Sequence, residues 1–106
     1  MMTRMEPREA FCHLLAAVYA SDGILTEAEK QALVDAMNEH GLDDSERKRV
    51  LNLQGHEAAL ETMKARPVED RQLLVDELVA AALADGKLTP QETATVTRLG
   101  KELGVG

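Results

Sequence analysis

The sequence predicts an all-α fold, a compact bundle of about six helices in two pseudo-symmetric helix-loop-helix halves, and three observations lead there. The chain has no Trp, one Phe and one Tyr, so its core falls to Leu, Val, Ala and Met. Those residues suit helices better than sheets, which favour β-branched and aromatic side chains. Apolar residues recur at helical spacing, as in Phe11, Leu14, Leu15, Val18 and Tyr19. Finally, one phrase occurs twice: Asp22-Gly23-Ile24-Leu25-Thr26-Glu27-Ala28-Glu29, and Asp85-Gly86-Lys87-Leu88-Thr89-Pro90-Gln91-Glu92. The copies stand 63 positions apart, and so do the glycines that close the helices after them, Gly41 and Gly104.

Each element follows from local signals. At 106 residues the chain suits a single domain over 1–106, with residues 1–5 as a loose arm. A first helix starts at Glu6-Pro7, where proline fits the first turn, and ends at Ser21-Asp22-Gly23, where glycine accepts positive φ. Thr26 and Glu29 have capping-box spacing and open a second helix that runs to about His40, with Leu33, Ala36 and Met37 inward. Gly41 stops it, and His40 suits the negative end of the helix dipole. Asp43 and Glu46 begin a third helix carrying Val50, Leu51 and Leu53, which Gln54-Gly55 breaks. A fourth piece, His56 to Lys64, presents Ala59, Leu60 and Met63. Arg66-Pro67 interrupts the pattern, because proline disfavours helical geometry in the residue before it.

The fifth helix, Val68 to Ala84, has the most apolar surface, with Leu73, Leu74, Val75, Leu78, Val79 and Leu83 spread over more than one face. It is the element expected at the centre. Thr89, Pro90 and Glu92 then repeat the capping box, and the last helix carries Val96, Leu99 and Leu103 to Gly104. At the offset of 63, Phe11 matches Leu74, Leu15 matches Leu78, Val18 matches Ala81, Leu33 matches Val96 and Ala36 matches Leu99. Two hairpins with equivalent core faces can pack about a pseudo-two-fold axis, bridged by the third and fourth helices.

Charge narrows the function. A net charge of −7, from 19 acidic and 12 basic side chains, repels phosphate backbones and argues against nucleic-acid binding. Arg47-Lys48-Arg49 reads as a solvated helix face. The favoured partners are metal cations or a basic protein surface. Cys12 stands alone, so no intramolecular disulfide forms and nothing calls for an oxidising compartment. The apolar stretch Ala10 to Ala20 belongs to the repeat, is flanked by Glu6 and Glu9 and is interrupted by His13, which argues against a cleaved leader. No run reaches the roughly 18 apolar residues of a membrane span. A cytoplasmic protein is predicted, either monomer or homodimer.

The repeated phrase invites comparison with a calcium loop. If Gly23 is position six, Leu25 falls at eight and Glu29 at twelve, and Gly86, Leu88 and Glu92 repeat the pattern. Positions one and three are then Val18 and Ala20, or Ala81 and Leu83, which have no ligand oxygen, so a working EF-hand is not expected. The phrase also reads as punctuation: glycine ends a helix, leucine enters the core, and Thr with Glu caps the next helix. A third reading joins the copies. If pseudo-symmetry brings the loops together, Asp22, Glu29, Asp85 and Glu92 form one acidic patch of hard oxygen donors suited to Ca²⁺, Mg²⁺ or Mn²⁺.

The two copies, each preceded by an alanine-rich stretch, together with the closing Leu99-Gly100-Lys101-Glu102-Leu103-Gly104-Val105, resemble the tellurite-resistance TerB family over residues 6 to 105. The resemblance implies a compact helical, cytoplasmic, bacterial protein linked to tellurite and other stress responses. It also implies metal binding through an acidic surface, to which Asp22, Glu29, Asp85 and Glu92 correspond by position. Ser21 stands where many members have alanine.

Catalysis finds no constellation. Cys12 and His13, adjacent on a helix, point about 100° apart and make no dyad. Cys12 suits a packed small hydrophobe. His13, His40 and His56 lack the i, i+4 spacing of a zinc pair, and no glycine-rich phosphate loop occurs. A non-enzymatic role is predicted: an ion-binding or sensing module or, alternatively, an interaction module whose acidic face meets a basic protein partner.

Overall fold

The computed structural model describes residues 5–23, 25–84 and 88–105; the side chain of Asp22 also lies outside the description. The described residues form six α-helices: α1 (Pro7–Tyr19), α2 (Glu27–Glu39), α3 (Asp44–Leu51), α4 (His56–Lys64), α5 (Val68–Ala84) and α6 (Pro90–Glu102). A short 3-10 turn, Ala20–Asp22, follows α1. The all-α expectation holds, with no strand among the described residues.

The helix starts are set locally. Thr26, Asp43 and Thr89 each accept a hydrogen bond from the backbone N–H three residues on. Glu29, Glu46 and Glu92 accept reciprocally from the cap residue's own N–H. The ends are equally regular. Gly41 and Gly104 sit at positive φ and close α2 and α6 with paired backbone bonds, Leu42 N to Met37 O and Val105 N to Gly100 O among them.

The end of α3 corrects the sequence expectation. Its left-handed residue is Leu53, at φ 57°, with Leu53 N bonded to Val50 O and Gln54 N to Arg49 O. This is the same closure with a leucine where glycine normally spares the strain. Leu51 and Leu53 are therefore exposed rather than packed inward. Gly55, expected as the breaker, is instead the residue before α4, and a Cβ there would lie 2.4 Å from His13 Cε1.

The centre of the bundle is α1, not α5. Helix α1 packs against all five other helices. It is buried almost continuously from Glu9 to Tyr19, whereas α5 buries Leu74, Leu78 and Ala82 and leaves Val68, Leu73 and Leu83 exposed. One cluster of buried residues runs through all six helices. Met5, placed in the loose arm by sequence, packs against this cluster, and residues 1–4 lie outside the description.

The pseudo-symmetry is partial. Leu15 and Leu78 are both buried, as the offset predicts, and so are Leu33 and Val96, whereas Leu99 is buried and its counterpart Ala36 only half-buried. Each hairpin also carries an arginine clasp at equivalent positions. Arg8 on α1 donates to the Gly41 carbonyl beyond α2, and Arg71 on α5 donates to the Leu103 carbonyl beyond α6. However, α6 packs on α1, while no comparable contact joins α2 to α5 among the described residues.

Candidate functional site

Of the four carboxylates predicted to converge, two have described side chains. Glu29 and Glu92 each accept a backbone N–H through Oε1 at 2.9 Å, from Thr26 and Thr89 respectively. That bond commits one oxygen of each to the capping box and leaves Oε2 for another partner. Glu92 is buried and Glu29 half-buried. Asp85 and the side chain of Asp22 lie outside the description, so their meeting belongs to what is proposed below. Among the described residues no group of three or more His, Cys, Asp or Glu side chains is placed to hold a metal ion.

The backbone around the first phrase is nonetheless drawn toward the second half. Ser21, in the 3-10 turn beside Asp22, is hydrogen-bonded to Thr95 Oγ1 on α6 at 2.6 Å. Thr95 lies one helical turn beyond Glu92, on the same buried face. Tyr19 reaches across as well, donating to the Ala81 carbonyl in the last turn of α5 at 3.3 Å. In the sequence Ser21 figures only in the Ser21-Asp22-Gly23 helix end and as a departure from the family pattern. The available signal was a hydroxyl pair, Ser21 and Thr95, on elements that the repeat predicts to be neighbours.

A second polar cluster escaped the sequence. Glu9, 2% exposed, accepts from His13 Nε2 at 2.8 Å and, bidentately, from Arg49 Nε and Nη2, each at 3.0 Å. Burial alone would raise the Glu9 pKa, but the hydrogen bonds and charge of Arg49 and His13 outweigh it and hold the carboxyl below its ordinary value. With both oxygens engaged, Glu9 is a structural tie from α1 to α3.

Lys48 and Arg49 are exposed, as expected of a solvated face, but Arg49 also reaches inward to Glu9. Arg47 is also engaged, donating to the Leu42 carbonyl and to Asn38 Oδ1 at the end of α2. Arg8 completes the set of ties with a bidentate pair to Glu46, 3.1 and 3.2 Å.

Cys12 is fully buried. Burial first, then the neighbouring charge of Glu9, pushes its thiol up to about 12, so it stays protonated near neutrality and packs as the small hydrophobe expected. His40, next to the last turn of α2, sets its ring against Phe11 at 4.9 Å between centroids. No described helix is long and apolar enough to cross a membrane.

Comparison with known proteins places this arrangement. The family model described as "Tellurite resistance protein TerB" matches residues 8–106. Neither the curated proteins nor the solved structures give a match.

Proposed function

Because the chain belongs to the TerB family, we propose that it is a non-catalytic module of the cytoplasm that binds a divalent cation between its two Asp-Gly loops, in a sensing or stress-response role. Asp22, Glu29, Asp85 and Glu92 supply the oxygens, and Ca²⁺, Mg²⁺ or Mn²⁺ is the ion class that such a donor set favours. The observation that carries this reading is the Ser21–Thr95 hydrogen bond, which holds the turn beside Asp22 against the face of α6 that bears Glu92. The Oε2 atoms of Glu29 and Glu92, without a partner among the described residues, and the net charge of −7 support it.

Titration calorimetry and thermal melting with Ca²⁺, Mg²⁺, Mn²⁺ and Zn²⁺ test the proposal. Saturable heat and a raised Tm are expected for at least one hard cation, amounting to about 2.7 kcal/mol of stabilisation at a hundredfold excess over Kd. Both signals should disappear in the Asp22→Ala/Asp85→Ala double variant. No heat and no change in Tm with any ion would sink the reading.

A second reading is favoured by the outer side of α5, where Val68 and Leu73 stand exposed beside the acidic Glu69, Asp76 and Glu77. That surface suits a basic protein segment with apolar anchors. Such binding needs no cation and weakens with salt.

A further inference from the structure

Between α1, the α3–α4 connection and α6 lies an open cavity of about 260 Å³, lined by His13, Ala17, Ala20, Leu53, His56 and Arg98. It has ample room for a small ligand, since a single water occupies about 30 Å³. In a chain of net charge −7, the lining contains no carboxylate and three nitrogen-bearing side chains.

Those three side chains differ from their counterparts elsewhere in the molecule. Arg8, Arg47, Arg49, Arg66 and Arg71 each donate to an acceptor within the protein, whereas Arg98 has none among the described residues. His56 is likewise unpartnered: its Nδ1 is buried without a hydrogen bond, a state that ordinarily carries a cost. His13 is fixed by its bond to Glu9. A carboxylate only accepts, so the proton of that bond sits on Nε2, and Nδ1 is the ring nitrogen without a partner among the described residues. Gly55, with no Cβ, leaves room for that ring. At the cavity's edge Leu53 keeps a left-handed backbone, the kind of local strain that tends to gather at binding sites.

We propose that this cavity binds a small tetrahedral oxyanion such as phosphate, with Arg98 and His56 donating to its oxygens and the His13 ring forming part of its wall. The donor set alone would suit any oxyanion.

The test is a titration of the full chain with inorganic phosphate, and separately with sulfate, at constant ionic strength and neutral pH, following the ring signals of His13 and His56 by NMR. Phosphate should shift both rings saturably at concentrations up to about 10 mM, equivalent to a binding free energy of about −3 kcal/mol or stronger. Arg98→Gln should weaken the affinity about tenfold, equivalent to about 1.4 kcal/mol. Arg66→Gln, on a different face, should leave it unchanged. Helical content by circular dichroism confirms that each variant is folded. The proposal is overturned if no saturable shift occurs, or if Arg98→Gln binds phosphate as well as the parent. Sulfate that shifts neither ring where phosphate does would overturn the reading that the donor set suits any small oxyanion.

Discussion

Ala10 and Leu73 occupy equivalent positions in the two halves, yet Ala10 is 0% exposed and Leu73 is 58% exposed. The contrast continues along both helices. Leu14 is fully buried, and its counterpart Glu77 faces solvent. Glu9 and His13 make a buried polar pair four residues apart, and their counterparts Gln72 and Asp76 make an exposed one at 3.1 Å. The corners that follow are nevertheless the same, a Thr cap with its reciprocal Glu. The difference teaches that the repeat fixes how each half turns. What surrounds a helix, here α3 and α4 wrapping α1, fixes how much of it is buried.

The sharpest way to break the comparison is at Leu14 and Glu77. Leu14→Ala removes a fully buried side chain from the central helix and should cost about 2–5 kcal/mol in urea unfolding. Glu77→Ala, at the equivalent position, should change stability by no more than about 0.5 kcal/mol. Comparable losses at the two sites would mean that α5 is as central as α1.

The corners were legible because capping is local. Thr26, Asp43 and Thr89 with a Glu three residues on, and Gly41 and Gly104 after the last apolar position, need only their neighbours in sequence. Ranking α5 above α1 failed because apolar residues were counted without weighing the charges among them. From Ala10 to Ala20 no acidic or basic residue other than His13 occurs, whereas α5 carries Asp76 and Glu77 at its middle. A helix with charge on one side has to keep that side wet. The Glu9–His13 spacing was visible, but Arg49 is 40 residues away and only tertiary packing brings it there. Leu53 was misread for a related reason: Gly55 has the composition of a helix end, while the strained position falls two residues earlier. The clasp of Arg8 and Arg71 does keep the offset of 63, but an arginine's target carbonyl leaves no mark in sequence.

Glu9 and Gln72 provide the next test. Glu9→Gln keeps the shape and removes the charge that accepts from both Arg49 and His13, and should cost about 2 kcal/mol, in the range of hydrogen bonds to charged groups. Gln72→Ala removes one exposed i, i+4 contact and should cost about 0.2–0.5 kcal/mol. Acid unfolding separates the two further. The Glu9 pKa is lowered in the fold, so its contribution is fully present above the unfolded value, near 4.5, and is lost as the pH falls through the folded one. Glu9→Gln should therefore flatten the loss of stability below about pH 4.5, and Gln72→Ala should leave its slope unchanged.

The smallest effect falls at the corners themselves, where the halves look most alike. Thr26→Ala and Thr89→Ala each free one backbone N–H, that of Glu29 and that of Glu92. The first bond is exposed, so water can replace the lost hydroxyl, and a cost of about 0.5–1 kcal/mol is expected. The second is part-buried beside a Glu92 that is only 8% exposed, so replacement is poorer and the cost should rise to about 1–2 kcal/mol. The order reverses that of the preceding tests, because at its corner the second half is the more enclosed one. Thermal unfolding of the two single variants decides it. Equal shifts in Tm would mean that burial differs between the helices of the two halves without reaching their caps.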